Sequence, residues 1–127
     1  MAISMYSASV PVFTRMLGHL AAWLDKAEAH AQAKKFDTSV YLAARLAPDM
    51  LPLPKQIQIA CDAAKFGVAR LAGVEAPKFE DNEASLAELR ERIRKTVEFV
   101  RSVPAAGPWW PRWWWVRSWP PGVRSWS

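Results

Sequence analysis

Six side chains in this sequence stand out, by type and position, as candidates for chemistry: His19, His30, Asp49, Gln56, Cys61 and Asp62. Imidazole titrates near neutrality and binds metals. A thiolate is a nucleophile and a metal ligand. Carboxylates and amides orient polar ligands. The two histidines stand eleven residues apart, which on one helix is about 16 Å along the axis, too far to share a metal. His19 lies beside an apolar stripe and reads as structural or partly exposed, with metal or acid–base work as the alternative. His30, near a helix end, suits the helix dipole. Asp49 precedes a helix start in "APDMLP", where it either caps that helix or points into a pocket at the mouth of a bundle. Asp62 is one residue off an apolar stripe, so it pairs with an Arg or Lys across the bundle or reaches a ligand. Cys61 beside it reads as inert core, against a thiol ligand or nucleophile. His19, Asp49, Gln56 and Asp62 form the candidate pocket. No glycine-rich phosphate loop, CxxC, HExxH or GxSxG accompanies them, so no catalytic residue is assigned and the question of enzyme activity stays open.

The elements that must position these groups are helical. From about Val10 to Lys34, Phe13, Met16, Leu17, Leu20, Leu24 and Ala27 recur at spacings of three and four, one face of a long helix. Ser9 is its expected N-cap, with Pro11 in the first turn. Asp37 or Thr38 caps a short second helix carrying Val40, Leu42 and Leu46. Prolines 48, 52 and 54 interrupt the chain. A third helix starts near Pro52 or Pro54 and runs to about Ala72, with Leu53, Ile57, Ala60, Ala64, Val68 and Leu71 on its stripe and Gly73 as its stop. "VEAPKFEDNEA" reads as a polar connection. The last helix opens at Ser85, with Glu88 three residues on as a capping box, repeats Leu86, Leu89, Ile93, Val97 and Val100, and stops at Pro104. Its charge run "RERIRK" reads as a solvated face paired to Glu88, Glu91 and Glu98. No segment alternates with period two, so no sheet is expected.

The 127 residues allow one domain, expected over residues 1–106 with a separate tail at 107–127. The formal charge is +5, but residues 1–106 hold fourteen basic and twelve acidic residues, so the body is only +2. Interspersed charges of both signs do not suggest a nucleic-acid surface. One cysteine allows no internal disulfide and fits a reducing compartment. No window approaches a membrane span and the N-terminus has no signal-peptide pattern. A cytoplasmic location is expected.

Three stretches, "MYSASVPVFTRMLGHLAAWLDKAEAHA", "ARLAPDMLPLPKQIQIACDAAKFGVARLAGVEAPKFED" and "LAELRERIRKTVEFVRSVP", closely resemble the DUF1993 family, a branch of the DinB/YfiT-like superfamily. The resemblance covers residues 1 to about 106 and implies an all-α, up-down four-helix bundle, here without its last long helix. It also implies relatives that include metal-binding proteins and thiol-dependent transferases or isomerases. Their usual divalent-metal site takes one histidine from the second long helix and two from the last. The matching "KQIQIACDAAK" offers no histidine, so no metal or other cofactor is expected.

The tail, "GPWWPRWWWVRSWPPGVRSWS", holds seven of the eight tryptophans, four prolines and three arginines. Trp with Arg suits a membrane interface or single-stranded nucleic acid, but the prolines forbid a regular amphipathic helix. TGG-rich, GC-rich codons read out of frame would give such a composition, so a frameshift near codon 106 is the expected origin. The leading reading is a non-catalytic bundle, either structural or binding a small molecule. The alternatives are a metal-dependent or thiol-transfer superfamily enzyme, and a membrane- or nucleic-acid-associating protein acting through the tail. A groove left by the absent helix is expected to favour self-association and marginal stability. No specific nucleic-acid partner is expected.

Overall fold

The structure is a computed structural model, and it describes residues 3–107 and 109. Among these residues every regular element is helical: α1 (Met5–Lys34), α2 (Ser39–Ala43), α3 (Leu53–Ala72) and α4 (Leu86–Ser102). The expected boundary at Gly107 falls at the edge of the described residues. The membrane, nucleic-acid and frameshift readings of the tail concern residues that, apart from Gly107 and Trp109, lie outside them.

Helix α1 begins a turn and a half earlier than its apolar stripe suggests. Ser4, not Ser9, is the N-cap: its hydroxyl accepts from Ser7 N–H, and Ser7 reaches back to the Ser4 N–H. Two serines replace the usual Ser/Glu pair of a capping box. Ser9 is inside the helix, where its hydroxyl donates to Met5 C=O at 2.6 Å. Pro11 is also interior. Having no N–H, it cannot donate to Ser7 C=O, so the helix forgoes one rung of its ladder there. The helix ends at Lys35, whose left-handed backbone (φ 58°) turns the chain without a glycine.

The other ends follow the sequence more closely. Asp37 Oδ1 accepts from Ser39 N–H at 2.8 Å and starts α2. Pro52 is the N-cap of α3, and Gly73 (φ 68°) closes it in the left-handed conformation that glycine adopts without strain. Ser85 caps α4 by accepting from Glu88 N–H. The Glu88 carboxylate returns to Ala84 N–H, one residue before the expected partner.

α4 packs along both α1 and α3, while α1 and α3 meet each other sparingly. The main core joins Leu17 and Leu24 of α1, Ile57, Cys61 and Ala64 of α3, and Leu86, Leu89 and Ile93 of α4. A second cluster closes one end with Val10, Val68, Ala72, Val100 and Val103. There the Phe13 ring packs on α3 at Gly67, where a Cβ would meet the ring at 3.6 Å, an ordinary van der Waals contact. Four stripe assignments differ from expectation. Met16 is 53% exposed, and Ala60 is also exposed, because both face away from α4; Val40 on α2 is 58% exposed, and Leu46 lies beyond the end of α2 and is 93% exposed.

Candidate functional site

The four candidate pocket residues do not converge. His19 is exposed on α1 and Asp49 is exposed in the connection before α3. Gln56 and Asp62 share α3 but are six residues apart, roughly 120° around the helix. Each belongs to a different feature.

Asp62 belongs to a buried ion network. Its carboxylate pairs with Lys65 Nζ at 3.1 Å and with Arg92 at 3.1 Å. The Arg92 side chain is 2% exposed and also contacts Asp81 and Glu83, each at 2.9 Å. It donates a further hydrogen bond to Glu80 C=O at 3.1 Å. Gln58, itself buried, donates to the other oxygen of Glu83 at 2.7 Å. The Lys65 ammonium sits over the rings of Phe79 and Phe66, at 4.4 and 4.6 Å from their centroids. Such cation–ring contacts replace part of the lost hydration of a buried ammonium.

Charge placement explains the protonation states. Burial pushes the Glu83 carboxyl up, but the hydrogen bonds from Arg92 and Gln58 outweigh it, and the group titrates below the usual glutamate range. Burial alone would lower Arg92, yet its carboxylate partners raise it further still. Glu83 is therefore held as the anion between Arg92 and Gln58, while Arg92 Nε and the Gln58 amide oxygen are buried without a hydrogen-bond partner among the described residues. This charge-paired cluster holds the 74–85 connection onto α3 and α4. The cavity of about 420 Å³ beside it is lined by Lys78, Phe79, Glu83, Arg92 and Lys95 among others. Of these, Arg92 and Glu83 are committed to each other.

Beneath the network lies Cys61, fully buried. Burial raises its thiol, and the hydrogen bond with Thr96 and the charge of Arg92 only partly offset this. A neutral, inaccessible thiol is a poor nucleophile. The donor set of α3 does not fit the superfamily's histidine metal site: Gln58 is bound to Glu83, Cys61 is sealed and Asp62 is held by two cations. Among the described residues no group of three His, Cys, Asp or Glu side chains is arranged to hold a metal ion.

Gln56 belongs to a different place. It borders a cavity of about 400 Å³ with Tyr41, Leu46, Met50, Leu51 and Leu53, where α2, the 44–52 connection and the first turn of α3 meet. Its amide donates to Leu51 C=O at 3.3 Å. Arg45, also on the wall, donates to Met50 C=O at 3.1 Å. These two bonds tie the proline-interrupted connection back onto itself. Asp49 is not on this wall and does not cap α3. Of the expected pocket residues Gln56 alone borders this cavity, whose charged group is Arg45. The signal that could have found it is "RLAPDMLPLP", where apolar residues and an arginine crowd between helix breakers.

Sequence reasoning misses Arg92 and Lys65. Arg92 sits inside "RERIRK", whose Arg94 does form the expected solvated pairs, with Glu91 and Glu98. Arg90 turns instead to α1 and pairs with Asp25 and Glu28.

Among the described residues no helix is long and apolar enough to cross a membrane. A comparison with curated proteins returned no match. The structure is similar to the crystal structure of a DinB family member protein from Shewanella denitrificans, with 48% identity and a TM-score of 0.76. That likeness covers 79% of this chain and 57% of the other, so this chain spans little more than half of the solved protein's length. The family described as "Domain of unknown function (DUF1993)" matches over residues 5–107. With a family match over residues 5–107 and a solved relative at 48% identity, this all-helical, DinB-like chain belongs to the DUF1993 family.

Proposed function

We propose that this chain works as a non-catalytic bundle that binds a small amphipathic molecule in the cavity walled by Tyr41, Leu46, Met50, Leu51 and Leu53. The observation that carries the reading is the composition of that wall: it is almost wholly apolar, with one guanidinium, Arg45, on it. Such a cleft favours an apolar body with an anionic head. The absence of catalysis is inferred from the reactive groups. Cys61 is sealed with its thiol pushed up, one oxygen of Asp62 is paired to Lys65 and Arg92, and both histidines are exposed. The lone reduced cysteine fits a reducing compartment and supports a cytoplasmic location.

Decanoate is a suitable probe, titrated by calorimetry against the full chain. Leu51→Asp places a carboxylate on the wall, where it repels the probe's own charge, and should weaken binding at least ten-fold without changing the helical circular dichroism. No binding at millimolar decanoate, or binding indifferent to Leu51→Asp, would overturn the reading. A stoichiometric transition metal in the purified protein would move it to the metal-dependent superfamily enzymes.

A further inference from the structure

Helix α1 carries two apolar faces. One, through Val10, Leu17 and Leu24, is buried. The other is drawn by Val12, Met16 and Trp23, which are 51%, 53% and 57% exposed. At 100° per residue these three fall within about 40° of one another, roughly a third of a turn from the buried face. A helix with two apolar faces at that angle is built to touch two neighbours. On α3 the residues turned away from α4 include Ala60, Ala63 and Ile59, all exposed. The face is therefore bare on α1 and mostly low-relief on α3.

The placement of Trp109 and the length of chain beyond it point to the occupant of this face. Trp109 is seated at the end of the bundle where the second core cluster lies. Its ring meets Tyr6 edge-on, with centroids 5.3 Å apart, and its indole N–H donates to Pro104 C=O at 2.9 Å. Trp109, the last described residue, thus lies beside the first turns of α1. From Tyr6, Val12 is about 9 Å along the helix axis and Trp23 about 26 Å. Residues 110–127 number eighteen, six of them tryptophan. Eighteen residues fully extended span at most about 60 Å, which exceeds the distance from Tyr6 to Trp23. A segment tethered within reach meets the face as an intramolecular partner, which a second copy of the protein does not.

We infer that residues 110–127 are the occupant of the Val12–Met16–Trp23 face, covering it within the same chain. The contact is an apolar one and needs no helix in the segment, so the prolines at 111, 120 and 121 do not oppose it. The inference is independent of the Tyr41–Leu53 cavity and of how the segment arose.

Photo-crosslinking tests it in the full chain. Met16→Cys is labelled with a benzophenone maleimide, Cys61 being fully buried and unreactive, and the same label at Arg94→Cys on the outward face of α4 serves as control. A second label at Val12→Cys guards against local distortion by the first. The expected product from positions 12 and 16 is a monomer cross-linked to a peptide within residues 113–126, in a yield unchanged over a ten-fold range of protein concentration and at least five-fold above the control. An inter-chain product that rises with concentration assigns the face to a second copy and overturns the inference. So does the lack of a tail cross-link, or an equal yield from the control position.

Discussion

Arg92 shows how one side chain can outrank its sequence context. Its guanidinium fork reaches Asp62 from one nitrogen and Glu80 C=O, Asp81 and Glu83 from the other. Breaking a buried pair by removing one partner typically costs about 3–5 kcal/mol. Asp81 and Asp62 keep partial access to water, at 46% and 34%, so Arg92→Ala should fall at the low end, about 3 kcal/mol. Arg92→Lys should recover less than half of that, because an ammonium cannot span both sides of the fork. Equal stabilities of Arg92→Lys and wild type in chemical denaturation would show that charge alone matters. In the sequence this residue is hidden by its neighbours. The run "RERIRK" places Arg94 on the solvent and Arg92 on the core side, and only the partner carboxylates, brought from 30 residues back and from the connection, distinguish them. Asp62 is legible because a carboxylate beside an apolar stripe demands a cation. The cation's identity is not, because local periodicity carries no information about residues across the bundle.

At the scale of elements, helix ends are legible where the cap is local and obscure where it is not. Gly73, Ser85 and Pro104 act within a few residues of themselves, and the structure uses all three as stops or starts. The start of α1 is misplaced by its pattern because the apolar stripe begins later than the hydrogen-bond ladder, and "SMYS" closes its cap with serine in place of Glu or Gln. The 74–85 connection reads only as polar. It is in fact pinned through Phe79, Asp81 and Glu83, and that pinning depends on pH with a definite sign. The Glu83 carboxyl is lowered from an ordinary value of 4.5. Its contribution is complete above about pH 4.5 and is lost as the pH falls through the lowered folded value. Acidification from pH 6 to 3 should therefore release the connection, read as lost hydrogen-exchange protection near Arg92 after correction for intrinsic rates. Glu83→Gln should remove much of that acid step while leaving α1 protected. An acid step of the same size in the variant would place its origin elsewhere. The solvated Arg94–Glu91 pair has a lowered carboxyl too, but exposed pairs contribute little.

For the whole molecule, the question is whether three long helices account for its stability. Two apolar clusters, one central and one terminal, hold α1, α3 and α4 together, and a domain of this size is stable by only about 5–15 kcal/mol. An uncovered second face on α1 adds nothing to that margin, whereas a covered one does, and a charge placed on it tells the two apart. Glutamate is a good helix former, so Met16→Glu on an open, solvated surface should change stability by no more than about 0.5 kcal/mol. Beneath an apolar covering the same carboxylate is desolvated without a partner, at a cost of at least about 1 kcal/mol. For a domain of this length that corresponds to a fall in Tm of roughly 4–8 °C. Leu46→Glu is the matched control, since Leu46 is 93% exposed and its substitution should leave Tm within a degree or two. If covering by residues 110–127 is right, Met16→Glu lowers Tm by that larger step at every protein concentration. A fall that appears only at high concentration identifies a second copy as the covering surface, and no fall at all means that α1 keeps its second face bare.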